Sequence, residues 1–192
     1  MPAPELLCTA ALSAWLLLAA WIDLRTRRIP NWLVASGMLV GLSLQALAPA
    51  GMGLFAYQWG GIGTVQALLG LGAGLALFMP LYLLRAFGAG DVKLLAMVGV
   101  WMGPKLLFST ALLILLAGGV LALIVMLASR SSRQVLANVR FMLTTTLIGA
   151  QTGKLAALEA PVAGTARLPY AMAITVGTLA QIGWMLAQSH FS

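Results

Sequence analysis

Only four acidic residues occur among 192, and two of them, Asp23 and Asp91, flank apolar runs of membrane length. A carboxylate at the edge of such a run is energetically unfavourable and marks a functional position. Asp91 lies in Phe87-Gly88-Ala89-Gly90-Asp91-Val92-Lys93, where two glycines let other backbone or a ligand approach closely. Asp23 follows the first apolar run, in Asp23-Leu24-Arg25-Thr26-Arg27-Arg28-Ile29-Pro30-Asn31. If the two carboxylates meet, like charges a few ångströms apart cannot easily both ionise, and the pair shares one proton. Such a pair can hydrolyse a peptide bond: one carboxylate deprotonates a water while the other, protonated, polarises the carbonyl. Neither a metal nor a covalent intermediate is required. Plainer roles stand beside this one. Asp23 can be a solvated partner of Arg25, Arg27 and Arg28. Asp91 can be a helix N-cap, and Lys93 an anchor or a charge that biases the pair. A small proton-coupled transporter would use the same acids as ion ligands, but it would also want acids along a path across the membrane, and the later apolar runs carry none.

The rest of the inventory narrows the chemistry. The only histidine, His190, falls in the C-terminal tail, so a Ser-His hydrolase lacks its base, and no HExxH cluster is present for zinc. No phosphate-binding loop occurs, and no cofactor is expected. The single cysteine, Cys8, lies within the first apolar run and reads as a small apolar side chain. Residues 1–5 carry Glu5 and no Lys or Arg, unlike a secretory signal, so the first apolar run reads as a retained helix.

Hydrophobic residues make up 61% of the chain and charged ones 8%, far from the balance of a soluble domain. The runs are continuously apolar rather than alternating, which argues against a β-barrel. The expected fold is all-α: a single membrane domain over residues 1–192, built as a six-transmembrane-helix bundle. The helices are expected at about 5–22, 32–48, 64–84, 92–103, 106–128 and 169–187. Gly70, Gly72 and Gly74 provide small-residue spacing for close packing, and Pro80 is expected to kink the third helix. The segment 129–168 carries Arg130, Arg133, Arg140, Lys154 and Arg167, and its Leu136, Val139, Leu143 and Leu147 recur at helical spacing. That pattern suggests a cytoplasmic helix lying on the membrane surface.

The net charge of +7 points to topology and anionic lipid, with no nucleic-acid partner, because the basic residues lie in short segments between apolar runs. With the N-terminus outside, ten basic residues fall on the inner side and only Lys105 on the outer. The same topology sets Asp23 and Asp91 on one cytoplasmic face.

Gly88-Ala89-Gly90-Asp91-Val92-Lys93 resembles the GxGD-Val-Lys signature of the type IV prepilin peptidases. Asp23, in its frame before Ile29-Pro30-Asn31, resembles that family's other catalytic aspartate, and Arg167-Leu168-Pro169-Tyr170-Ala171 resembles the start of its last helix. The resemblance spans nearly the whole chain. It implies an aspartic endopeptidase of the bacterial inner membrane that removes a short basic leader from prepilins or pseudopilins at the cytoplasmic face. Asp23 and Asp91 would be catalytic, with Gly88, Gly90 and Lys93 supporting the catalytic loop. Arg25, Arg27 and Arg28 would contact substrate or lipid, or simply anchor the first helix. Long members of the family also carry paired CxxC motifs and a methyltransferase activity. This sequence has no CxxC and resembles the short, peptidase-only branch of the Flp/Tad type. A non-catalytic subunit that only binds pilins is the alternative within that setting, and other pilus-assembly proteins are expected as partners.

Overall fold

A computed structural model describes residues 3–47, 62–83, 87–128 and 169–191. Five helices lie among them: α1 (Ala3–Thr26), α2 (Asn31–Leu47), α3 (Thr64–Leu83), α4 (Ala89–Ala128) and α5 (Tyr170–Phe191). Four are long and apolar enough to cross a membrane, over Cys8–Thr26, Thr64–Leu83, Ala89–Val125 and Tyr170–Gln188, and α2 is a shorter apolar helix. The chain is therefore all-helical in its described parts and built as a multi-pass membrane protein. The basic segment 129–168, residues 84–86 with Arg85, and residues 48–61 lie outside the described residues.

Helices were expected at 92–103 and 106–128, and the boundary between them falls where expected: α4 consists of two helical arms joined across a break at Gly103. Gly103 has φ 72° and ψ 171°, a backbone state that disfavours any residue with a Cβ, and Pro104 follows it without an N–H to donate. The break reverses the chain. The Thr110 hydroxyl lies 3.3 Å from the Met102 sulfur, and a Cβ on Gly99 would stand 3.1 Å from Leu107 Cδ2. Residues eight apart in a straight helix are about 12 Å apart, so these contacts require a sharp bend, and Tyr170, which touches both Phe87 and Gly118, shows that 104–118 runs back along 89–102.

The first arm of α4 is the centre of the bundle. Leu94, Leu95, Ala96, Met97, Val98 and Val100 are fully buried, and Trp101 and Met102 nearly so. A helix apolar on every side belongs inside. Gly70 of α3 meets Gly99 backbone to backbone, and Gly74 approaches Ala96 in the same way. Gly72, expected to share this role, faces open space. Gly177 of α5 packs on Ile114 in the second arm. Buried polar groups fix register where dispersion alone would let helices slide. Trp101 Nε1 donates to the Gly37 carbonyl of α2 at 2.9 Å, and Gln45 Nε2 donates back to the Trp101 carbonyl at 3.4 Å. Trp15 Nε1 of α1 donates to Ser36 Oγ of α2 at 3.2 Å. The Thr175 hydroxyl of α5 lies 3.0 Å from the Leu16 carbonyl of α1. Outward-facing positions such as Leu17, Leu39, Val65, Leu112 and Leu116 are apolar and exposed, as a surface in contact with acyl chains requires.

Candidate active site

Asp23 lies inside α1, one turn from its end, rather than in the loop after it. The helix runs past it because the chain closes at Arg27, whose φ of 56° is the left-handed state that ends helices; its N–H donates to the Asp23 carbonyl at 2.8 Å. A solvated ion-pair residue would be exposed, whereas Asp23 is only 7% exposed. Its Oδ2 accepts from the Ala171 N–H at 3.4 Å. That donor belongs to the first turn of α5, where backbone N–H groups lack partners within the helix and the helix dipole favours an anion.

Asp91 also occupies a helix N-terminus, that of its own helix. α4 begins at Ala89, three residues earlier than expected, so Gly90 and Asp91 belong to a helical turn and not to the loop before it. The cap is Gly88, whose carbonyl accepts from the Asp91 and Val92 N–H groups. Asp91 Oδ2 in turn accepts from the Gly88 N–H at 3.0 Å, one half of the reciprocal capping box. This contact fixes the carboxylate direction without using its second oxygen.

The two segments touch. A Cβ on Gly90 would come within 3.2 Å of Ile29 Cβ, so glycine there lets the turn after α1 close onto the first turn of α4. Lys93 Nζ donates to Asn31 Oδ1 at 3.1 Å, tying α4 to the start of α2. Asn31 does not cap α2: the Pro30 carbonyl accepts from the Leu33 and Val34 N–H groups, which frees the Asn31 side chain for Lys93. Arg25 lies over the Trp21 ring, 4.4 Å from its centroid, and faces outward with Arg28.

Sequence reading missed the start of α5 as a part of this site. Tyr170 packs on Phe87, ring centroids 4.1 Å apart, and Phe87 packs on Phe78 at 4.7 Å. Ala171 meets Asp23. The only signal for these residues was the Pro169-Tyr170 pair at a helix start. Among the described residues no three His, Cys, Asp or Glu side chains cluster as metal ligands would.

The apolar bundle thus buries one aspartate near the end of α1 and holds a second on the first turn of α4, in segments that meet through Ile29 and Gly90. The family model for the type IV leader peptidases matches residues 10–127, more than half of the chain and both aspartates, and the chain belongs to that family. Membership makes it a protease of the leader-peptidase kind, a family of aspartic type. No curated protein and no solved structure matches it.

Proposed function

We propose that this protein is an aspartic endopeptidase that removes the short basic leader from type IV prepilins or pseudopilins at the cytoplasmic face of the bacterial inner membrane. Asp23 and Asp91 form the dyad. One takes a proton from the attacking water, the other donates a hydrogen bond to the scissile carbonyl, and the proton returns to the leaving amine. Family membership supports the substrate class. The observation that supports the assignment of residues is the meeting of the two segments through Ile29 and Gly90, with Asp23 buried at the end of α1 and Asp91 held on the first turn of α4. Gly88 and Gly90 serve close approach, and Lys93 positions α4 through Asn31. Arg25 and Arg28 anchor the end of α1 among lipid headgroups, with Arg25 braced on Trp21.

The placement of the cut follows from the physics of the substrate. A peptide bond within a membrane helix is shielded by its own hydrogen bonds, whereas one at the water boundary is open to attack. The dyad belongs to the end of α1 and the start of α4, which suits cleavage just before a substrate's hydrophobic helix. The reading is of a peptidase without methyl transfer, as the resemblance to the short, peptidase-only branch implies.

The test is cleavage of a prepilin by the purified protein in lipid, with products weighed by mass spectrometry. The expected product is the mature pilin cut once at the leader junction and left unmethylated when a methyl donor is supplied. Intact prepilin after prolonged incubation with folded protein would contradict the reading.

A further inference from the structure

The α5 start touches both halves of the site, yet nothing in the dyad chemistry itself requires it. Two consecutive residues make the two contacts. The Ala171 N–H donates to Asp23 Oδ2 at 3.4 Å. The Tyr170 ring packs on Phe87, the residue immediately before the Gly88 cap that holds Asp91. On another side, a Cβ added to Gly118 would lie 3.1 Å from Tyr170 Cε1, so the second arm of α4 closes on the ring where only glycine leaves room. Below this turn, the Thr175 hydroxyl ties α5 to the Leu16 carbonyl of α1 and stops the helix from sliding. A rigid element fixed in register thus bears on one aspartate through a backbone N–H and on the other through an aromatic stack. The family match ends at residue 127, before this element begins.

We propose that Tyr170 is a positioning residue of the two-carboxylate site: wedged between Phe87 and Gly118, its ring holds the first turn of α5 so that Asp23 and Asp91 keep the spacing at which they share a proton. The inference rests on the dyad reading above. The ring carries this role, because the ring makes the packing contacts on both sides.

The experiment compares Tyr170→Phe, Tyr170→Leu and Gly118→Ala for prepilin cleavage across pH, with thermal unfolding in detergent as the check on folding. Tyr170→Phe is expected to keep kcat and the width of the pH profile. Tyr170→Leu removes the wedge and lowers kcat by about 10- to 100-fold at constant KM, the scale expected for a small misplacement of catalytic groups. Its active pH range should also narrow, because carboxylates held further apart share a proton less well. Loss of general stability would not change that width. Gly118→Ala crowds the ring from the opposite side and should lower kcat in the same manner with Tyr170 intact. It carries the test where Tyr170→Leu does not accumulate.

Unchanged kcat and pH width in Tyr170→Leu, or in Gly118→Ala where that variant alone folds, would overturn the proposal. So would a Tyr170→Phe variant as damaged as Tyr170→Leu, which would move the role to the hydroxyl. A rise in KM alone would make Tyr170 a substrate contact and overturn it as well. Asp23→Asn run alongside separates the two levels. If Asp23→Asn retains activity, the dyad reading falls; if it is inactive while Tyr170→Leu is normal, only the positioning role falls.

Discussion

Asp91→Asn is expected to abolish leader cleavage, lowering kcat by at least about 1000-fold, with the protein still inserted and folded. The amide is nearly isosteric, and its oxygen still accepts from the Gly88 N–H that Asp91 Oδ2 engages at 3.0 Å. The cap at the start of α4 therefore survives. What is lost is the capacity to hold and release a proton. Asp23→Asn should fail in the same way, since the amide oxygen can keep the Ala171 N–H contact that the buried carboxylate makes. Residues that act as one unit are strongly non-additive, so the double variant should be no worse than either single one. Two independent roles would instead give losses that multiply. The assay is single-turnover cleavage of a radiolabelled prepilin, with circular dichroism and size-exclusion profiles confirming the fold.

The second large effect concerns stability. Gly70 and Gly99 meet backbone to backbone between α3 and the buried arm of α4, so a Cβ on Gly70 would overlap the Gly99 carbonyl. No flexible side chain is present to yield, and the helices must separate. Gly70→Ala should destabilise the protein by about 2 kcal/mol, in the range for overpacked cores. Gly72→Ala, where a Cβ meets open space, should change stability by less than about 0.5 kcal/mol. Unfolding in mixed micelles by increasing denaturing detergent reads both. Because α4 carries Asp91 on its first turn, the refolded fraction of Gly70→Ala should also cleave prepilin more slowly, whereas Gly72→Ala should not.

The candidate pair of acids was legible in the sequence because acids are rare in it. Asp23 and Asp91 stand out against apolar runs, and the glycines before Asp91 mark a close approach that the structure realises at Gly90 against Ile29. What the sequence hid was how the ends of helices are built. The cap of α4 is Gly88, which has no side chain to advertise it, so the helix begins earlier than its apolar run suggests. α1 carries Asp23 inside its last turn because it ends on a left-handed arginine, a state few would assign to Arg27. At α2 the Pro30 carbonyl caps, leaving Asn31 to reach Lys93 across the site.

Long-range facts were hidden for a different reason. Gly70, Gly72 and Gly74 look alike in sequence, but only the first and third face α4, since residues four apart share a helix face. The break at Gly103 and Pro104 was visible, and placing Lys105 on the outer side between two spans already had the chain fold back there. That reversal is set by the Gly103 dihedral angles and by the contacts of Met102 with Thr110 and of Gly99 with Leu107. Tyr170 gave almost no local signal, because its importance comes from Phe87 and Gly118, both remote in sequence.

The central claim is that the two aspartates work on one bond. The most direct measurement is the position of both carboxylates in a structure of the protein with an uncleavable prepilin leader bound. The account predicts an oxygen of Asp23 and an oxygen of Asp91 each within about 3 Å of the same attacking water or scissile carbonyl, with the pilin helix alongside the bundle. A leader bond seated against only one carboxylate, with the other turned away or beyond reach of a single water, would contradict it.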